Sequence, residues 1–190
     1  LWGNEPQAIT QWDFVAPFMA YNVRVAYHMH SVNKPALLGC GISTGNPPID
    51  YMPHMQPMTD VADVMVLHGY GAPTVLTESQ WYTLRFMQWI EMLEAKGARV
   101  PKFFLSETGI DGGVLRDPNH PNKDEQLGWW KKGWRDWEGW NLERGRPSYR
   151  EQLVALNAAL QHPKVLGANT FITLPTDTQW QSWDHNGEMV

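Results

Sequence analysis

Two glutamates stand directly after short apolar runs, the place where a parallel sheet presents reactive side chains. Glu107 follows the apolar run 102–106, which is typical of a buried strand bounded by proline and glycine. Glu5 follows residues 1–2, which look like the tail of another strand. Because the carboxyl ends of parallel strands meet at one edge, we expect both side chains to face a common site. A pair of carboxylates placed there is suited to acid–base and nucleophilic chemistry.

Patterns of strand and helix alternate along the chain and would position these two residues. Apolar residues that recur at helical spacing indicate helices, and apolar runs that end in polar residues or glycine indicate strands. In chain order we predict a strand end at 1–2, a helix over 10–32, a strand over 36–42, a short helix near 55–61, a strand over 63–71, a helix from Thr77 to Gly97, the strand ending at Glu107, a tryptophan-rich loop over 109–147, a helix over 149–160 and a strand over 165–172.

This alternation predicts an α/β fold with a parallel sheet and helical crossovers. The interval from Glu5 to Glu107 is close to three βα units of roughly 31 residues each, which is the spacing of a (β/α)8 barrel. If Glu5 ends one strand, Glu107 therefore ends the strand three units later, in agreement with the strand found there from its apolar pattern.

Composition and charge exclude several kinds of partner and chemistry. The 190 residues are 43% hydrophobic and 18% charged, which suits one globular domain, and the net charge of -5 argues against nucleic acid or an anionic membrane as partner. No apolar run is long enough to cross a membrane. The histidines lack the spacing of metal ligands, and the sequence has no phosphate-binding loop and no serine-hydrolase elbow. We therefore expect no metal and no cofactor, whereas 11 tryptophans offer flat stacking surfaces.

Three motifs in order along the chain resemble glycoside hydrolase clan A. They are Asn-Glu-Pro over 4–6, a His-x-Tyr strand end over 68–70, and the strand-terminal Glu107. Other segments look like a group of bacterial and phage-associated cellulase-like proteins that carry His-Glu-Tyr-Gly-Ala-Pro, Glu-x-Gly-Ile-Asp-Gly-Gly and Trp-x-Ser-Phe-Asp. The corresponding segments here are His-Gly-Tyr-Gly-Ala-Pro over 68–73, Glu-Thr-Gly-Ile-Asp-Gly-Gly over 107–113 and Trp-Gln-Ser-Trp-Asp over 180–184.

The resemblance implies a (β/α)8 TIM-barrel glycosidase in which residues 1–190 form a single catalytic domain. In the clan the Asn-Glu pair ends strand four and the second glutamate ends strand seven. The chain would then hold only the later strands and helices, a partial barrel that lacks strands one to three and the final helix. We expect a missing segment or a partner chain to complete it. No signal peptide is visible, and an extracellular location is favoured only by analogy with polysaccharide hydrolases.

The resemblance also assigns roles to the two glutamates. Glycosidic cleavage needs a proton donor at the leaving oxygen and a negative group below the anomeric carbon. The resemblance implies retention of configuration, with Glu107 as the nucleophile and Glu5 as the acid that later acts as base. Carboxyl groups about 5 to 5.5 Å apart fit retention, whereas about 6.5 to 9.5 Å fits inversion. The role of Glu5 requires a pKa raised by burial and by the charge of Glu107.

Five further residues are expected to bind the substrate. Asn4 would hydrogen-bond the sugar 2-hydroxyl, Tyr70 would orient or hydrogen-bond the nucleophile, and His68 would line the same floor. Either Trp180 or Trp183 would form the stacking surface under the scissile sugar, because a pyranose presents axial C–H groups to an aromatic face. These roles follow from the resemblance and stay predictions.

Carbohydrate is the expected partner, and three functions are compatible with the sequence. The first is a retaining glycoside hydrolase that cleaves β-glycosidic bonds in a polysaccharide, in the manner of a cellulase or mannanase. The second is a hydrolase of peptidoglycan or of another amino-sugar polymer. The third is a non-catalytic carbohydrate-binding fragment of a barrel. The identity of the sugar and its linkage stays open.

Overall fold

Strands and helices alternate along the chain in the computed structural model, which describes residues 12–32, 39–42, 59–78, 80–112, 133–171 and 178–186. The elements are α1 (Trp12–Val32), β1 (Gly39–Ile42), β2 (Val64–Gly71), α2 (Gln80–Thr83), α3 (Arg85–Ala95), β3 (Lys102–Ile110), α4 (Trp134–Glu143), α5 (Tyr149–Ala159), β4 (Val165–Thr170) and a 3₁₀ helix (Thr178–Trp183).

The four strands form one open sheet in the order β1-β2-β3-β4. β1 pairs with β2 in parallel, with Gly39–Ile42 opposite Val64–Leu67. The Phe103 amide donates a hydrogen bond to the Lys164 carbonyl at 2.8 Å, so the start of β3 lies beside the start of β4. Strands that follow one another along the chain are therefore neighbours in the sheet, as helical crossovers require.

The predicted (β/α)8 TIM barrel is wrong for the residues that the structure describes. A barrel closes only when its first and last strands pair and all its strands share one tilt and stagger. In the described sheet β1 and β4 stand at opposite ends of the strand order and the sheet stays open. Strand–helix alternation and the length of the βα unit are common to barrels and open parallel sheets, so neither could distinguish them. The division into barrel strands four to eight is wrong for the same reason.

Two compact units share the chain, and three of the strands pass from the first unit into the second. The described residues up to His68 belong to the first unit together with 85–105 and 163–167, and the second unit takes 69–84, 106–162 and the described residues from Ala168 onward. The carboxyl ends of β2, β3 and β4 therefore all belong to the second unit.

In the core of the first unit, α3 packs against the beginning of β3. α3 buries Phe86, Trp89 and Leu93 on one side, as expected for an amphipathic helix, and the ring of Phe86 lies 6.1 Å from that of Phe103. Gly97 adopts a positive φ of 62° just after the helix, so the predicted stop is confirmed. The predicted helix start is less accurate, because a separate short helix, α2, precedes α3.

The second unit has its own apolar core beneath α4 and α5. α5 begins at a capping box in which Ser148 and Glu151 exchange hydrogen bonds with each other's backbone amides, and this helix confirms the prediction. The members of the core come from the strand ends, the loop after β2 and both helices: Ala72, Val75, Ile110, Trp134, Trp137, Tyr149 and Leu156.

The loop predicted over 109–147 is wrong over Trp134–Glu143, which form α4. The buried side of α4 carries Trp134, Trp137 and Asn141, which are three and four residues apart and so share one helical face. A glycine inside the helix and the charged residues between the tryptophans obscured this period in the sequence. Trp134 and Trp137, which were interpreted as part of this loop, are thus core residues.

Most other predicted elements agree with the structure where it describes them, but β3 continues past Glu107 to Ile110, so the predicted end of this strand is wrong. α1 lies within the predicted 10–32 helix, and β1, β2 and β4 lie within or match their predicted strands. The predicted strand end at 1–2 is outside the described residues, and so is most of the short helix near 55–61. None of the described helices combines the length and apolar character of a membrane-spanning segment.

Candidate active site

Tyr70 lies near the end of β2, Glu107 lies in the second half of β3, and the two side chains are hydrogen-bonded to each other. The Tyr70 hydroxyl donates to Glu107 Oε2 at 2.8 Å. At the same level the Thr108 hydroxyl donates to the Gly69 carbonyl at 2.6 Å and so ties β3 to β2. The sheet therefore holds the phenol and the carboxylate in a fixed relation, as a preorganised site requires.

The environment of Tyr70 keeps its hydroxyl protonated. Its side chain is 5% exposed. Burial raises the pKa of Tyr70 well above its usual value of 10.0, and the charge of Glu107, the hydrogen bond to Glu107 and the charge of Asp111 raise it further. Tyr70 is consequently a neutral donor to the carboxylate, and it does not act as a base near neutral pH.

Tyr70 also belongs to an aromatic cluster, which consists of Tyr70, Phe171, Trp180 and Trp183. The Phe171 ring is nearly perpendicular to three neighbouring rings. The centroid distances are 6.4 Å to Tyr70, 5.2 Å to Trp180 and 6.3 Å to Trp183. The two indoles are 5.2 Å apart. Such edge-to-face contacts stabilise aromatic groups in a defined arrangement. The cluster connects the Tyr70 end of β2 to the 3₁₀ helix through a residue that follows β4.

The two tryptophans proposed as stacking surfaces have different environments. Trp180 keeps 36% of its surface exposed, whereas Trp183 keeps 6%. The carbonyl of Trp183 also accepts a hydrogen bond from Trp134 Nε1 at 3.3 Å. Trp180 is therefore the indole that can offer an accessible face to a ligand, and the buried Trp183 packs against it.

The start of α4 anchors the 3₁₀ helix that carries both indoles. The Gly133 amide donates to Ser182 Oγ at 2.9 Å, and Arg135 Nε donates to the Asp184 carbonyl at 2.8 Å. Gly133 packs so closely that any side chain there would collide with the Ser182 carbonyl. The position of Trp180 thus depends on α4, the helix that the sequence patterns did not predict.

A buried layer of Tyr149, His185 and Trp134 supports the end of β3. The Tyr149 hydroxyl lies 3.2 Å from His185 Nε2, and its ring stacks on Trp134 at 5.0 Å with an interplanar angle of 10°. Burial, with a smaller contribution from the charge of Glu138, raises the pKa of Tyr149. The phenol is therefore neutral and can donate to or accept from the imidazole, depending on the histidine tautomer.

The structure brings together four of the seven predicted site residues. Glu5 and Asn4 lie outside the described residues. His68 is buried in β2 and belongs to the first unit. The four in the second unit are Tyr70, Glu107, Trp180 and Trp183.

Three residues near the site were not predicted as part of it. Phe171 directly follows β4, and its amide donates to the Thr108 carbonyl at 3.0 Å, so its place after a strand was an available signal. Tyr149 matched the apolar face of a helix and was interpreted as core only. His185 follows the Trp-Gln-Ser-Trp-Asp segment by one residue, and no pattern in the sequence pairs it with Tyr149.

No protein-family model, curated protein or solved structure matches this chain. Within the described part of the chain, no group of three or more His, Cys, Asp or Glu side chains could hold a metal ion. The site combines a carboxylate in β3, a neutral phenol that donates to it, and a partly exposed indole in the adjoining cluster.

Proposed function

We propose that this chain is a retaining glycoside hydrolase that cleaves β-glycosidic bonds in a polysaccharide, with Glu107 as nucleophile and Glu5 as acid and base. The observation that carries the proposal is the Tyr70–Glu107 hydrogen bond between β2 and β3, with the aromatic cluster beside it. A retaining glycosidase needs a carboxylate nucleophile below the anomeric carbon, and an aromatic face beside it can stack on the sugar ring. The resemblance of the motifs around both glutamates to clan A supports the same assignment.

In the first step the Glu107 carboxylate attacks the anomeric carbon while the bond to the leaving sugar oxygen breaks. Glu5 gives its proton to that oxygen, and the sugar stays attached to Glu107 as an ester. In the second step Glu5 removes a proton from water, the water oxygen attacks the anomeric carbon, and Glu107 leaves as a carboxylate. Two inversions at one carbon give net retention.

Tyr70 supports both steps through its hydrogen bond to Glu107. The bond restricts the rotation of the carboxylate, which favours a near-attack geometry. In the second step the phenol donates to the carboxylate as its negative charge returns, and a preorganised donor stabilises such developing charge. Because Tyr70 is neutral and buried, this donor is present throughout the physiological pH range.

Turnover by the full chain tests the proposal. The substrates are aryl β-glycosides, β-glucan, mannan and peptidoglycan, and proton NMR of the first product reports its anomeric configuration. We expect hydrolysis with retention, and its loss in Glu107→Gln. Glu91→Gln, at an exposed carboxylate on α3, is the matched control and should keep wild-type rates. Equal rates in Glu107→Gln and wild type would overturn the assignment of Glu107.

A non-catalytic carbohydrate-binding module is the second candidate, and the partly exposed Trp180 favours it because stacking needs no carboxylate. Such a module would bind oligosaccharides, and quenching of tryptophan fluorescence would report that binding. Glu107→Gln would then bind as tightly as wild type, and neither protein would release reducing sugar. Cleavage of peptidoglycan alone would instead identify the amino-sugar polymer as the substrate.

A further inference from the structure

The Tyr149 hydroxyl lies between the end of β3 and the segment that follows the 3₁₀ helix. A Cβ atom added at Gly109 would lie 2.9 Å from this hydroxyl oxygen, so the phenol packs directly on the backbone two residues after Glu107. On its other side the hydroxyl is 3.2 Å from His185 Nε2, two residues after Trp183. One buried phenol thus contacts both chain segments that carry the candidate site.

A second route joins the same segments through Trp134. The Trp134 ring stacks on Tyr149 and its Nε1 donates to the Trp183 carbonyl. The ring of Trp134 also lies 5.9 Å from that of His185. The three rings form a closed group in which each ring contacts the other two, and buried groups packed this way have few alternative positions.

We propose that Tyr149 is a positioning residue that fixes the Glu107 end of β3 relative to the indoles of Trp180 and Trp183. The inference rests on the proposed function, because it concerns the geometry of that site. Tyr149 touches no reacting atom. It acts through Gly109 on the strand that carries the nucleophile, and through His185 and Trp134 on the segment that carries the stacking surface.

Gly109 is the position that makes this contact possible. It has a φ of 148°, a conformation that L side chains rarely adopt, and it has no side chain to keep the phenol away from the strand. Gly109 and Tyr149 should therefore be coupled, since a methyl group at 109 meets the hydroxyl of 149. Coupled positions give non-additive effects in a double-mutant cycle.

Tyr149→Phe tests the positioning role with the full chain and an aryl β-glycoside. It removes one oxygen and keeps the ring that stacks on Trp134. We expect kcat about tenfold lower and KM changed less than about twofold, because misplacement of a nucleophile affects the transition state more than ground-state binding. Tyr27→Phe, at an exposed tyrosine on α1, is the control and should leave both constants unchanged. A residue with a purely structural role would lower the fraction of folded enzyme and leave kcat per folded molecule unchanged.

The cycle with Gly109→Ala provides the second readout. Alone, Gly109→Ala should lower kcat more than Tyr149→Phe does, since its methyl group both strains the backbone at a φ of 148° and displaces the phenol. In the double variant the hydroxyl is absent, so kcat should rise at least about threefold above that of Gly109→Ala. Simple multiplication of the two losses would overturn the proposed contact.

The outcomes separate this inference from the proposed function. An active wild type in which Tyr149→Phe keeps kcat within about twofold overturns the positioning role alone. A wild type that hydrolyses none of the glycosides overturns the proposed function and the positioning role with it.

Discussion

Two glutamates in the second unit accept hydrogen bonds from different kinds of donor. Glu107 accepts one from the neutral hydroxyl of Tyr70. Glu78 accepts from the hydroxyls of two threonines and pairs with Arg146, whose Nε lies 2.5 Å from Glu78 Oε1. Arg146 also lies over the ring of Trp140 at 4.7 Å. Glu78 is thus held by a cation and two hydroxyls, an arrangement that stabilises a loop.

The difference in donors changes what each carboxylate can do. Burial raises the pKa of Glu78, but hydrogen bonds from Thr74, Thr77 and Arg146 outweigh it, and the net effect lowers the pKa. A carboxylate neutralised by a guanidinium is a poor nucleophile because its charge is already engaged. A neutral phenol can orient a carboxylate without placing a positive charge beside it. We therefore expect Glu107 to be needed for turnover and Glu78 to be needed for stability.

The largest expected effect comes from removing the charge at each position. Glu107→Gln should lower kcat/KM on an aryl β-glycoside by about a thousandfold or more, since the covalent intermediate cannot form. Glu78→Gln should retain activity within about twofold. Initial rates corrected for folded protein measure both variants. If Glu78→Gln abolished turnover and Glu107→Gln did not, the comparison would be reversed.

Removal of the neutral donor should have a smaller effect. Tyr70→Phe deletes a hydrogen bond to a charged group, which is worth about 1.5 to 3 kcal/mol, so kcat/KM should fall roughly ten- to a hundredfold. Because burial and the charge of Glu107 raise the pKa of Tyr70 above 10.0, the loss should be the same from about pH 6 to pH 9. A loss that disappeared toward pH 9 would show that Tyr70 ionises in this range.

Local patterns predicted much of this geometry, because strand ends and helical faces depend on neighbouring residues. The placement of Tyr70 and Glu107 in consecutive strands followed from apolar runs and the residues that end them, although β3 continues past Glu107 to Ile110. Closure of the sheet could not be predicted in this way, since it depends on pairing between strands far apart in the chain. The Tyr149–His185 contact was missed for the same reason, because side-chain pairing across 36 residues leaves no period in the sequence.

Burial also reversed the interpretation of several tryptophans. Trp134 and Trp137 were assigned to a loop because glycines and charged residues surround them, yet they are core residues of α4. Trp180 is the one predicted stacking residue of the pair that keeps an accessible face. The composition indicated that the chain has many aromatic side chains. Which of Trp180 and Trp183 is exposed depends on tertiary packing around the 3₁₀ helix, including its contact with α4.

The next prediction compares Trp180 with Trp140, whose ring is covered by two arginine side chains. Trp180→Ala should weaken binding of a β-linked oligosaccharide by about 1 kcal/mol, roughly fivefold, through loss of stacking. Trp140→Ala should leave this binding unchanged, since the Trp140 ring is covered by Arg144 at 4.0 Å and by Arg146. Titration calorimetry measures both dissociation constants. Equal weakening in the two variants would mean that Trp180 offers no specific stacking surface.

The last prediction concerns the stability that Glu78 contributes. Its pKa is lowered on folding from a usual value of 4.5, so its stabilisation is fully present above about pH 5 and is lost as the pH falls through the folded pKa. The group is partly exposed and its ion pair is screened, so we expect Glu78→Gln to cost about 1 kcal/mol at neutral pH.

Urea unfolding of wild type and Glu78→Gln at a series of pH values would measure this contribution. The difference in unfolding free energy should be greatest above pH 5 and should shrink toward zero in acid, because protonated Glu78 then resembles glutamine in charge. Raising the salt concentration should reduce the difference at neutral pH, since Arg146 supplies part of it through an exposed ion pair. A difference that grew as the pH fell would contradict this prediction, because it would require the pKa of Glu78 to rise on folding. The three hydrogen-bond donors to Glu78 favour the opposite shift.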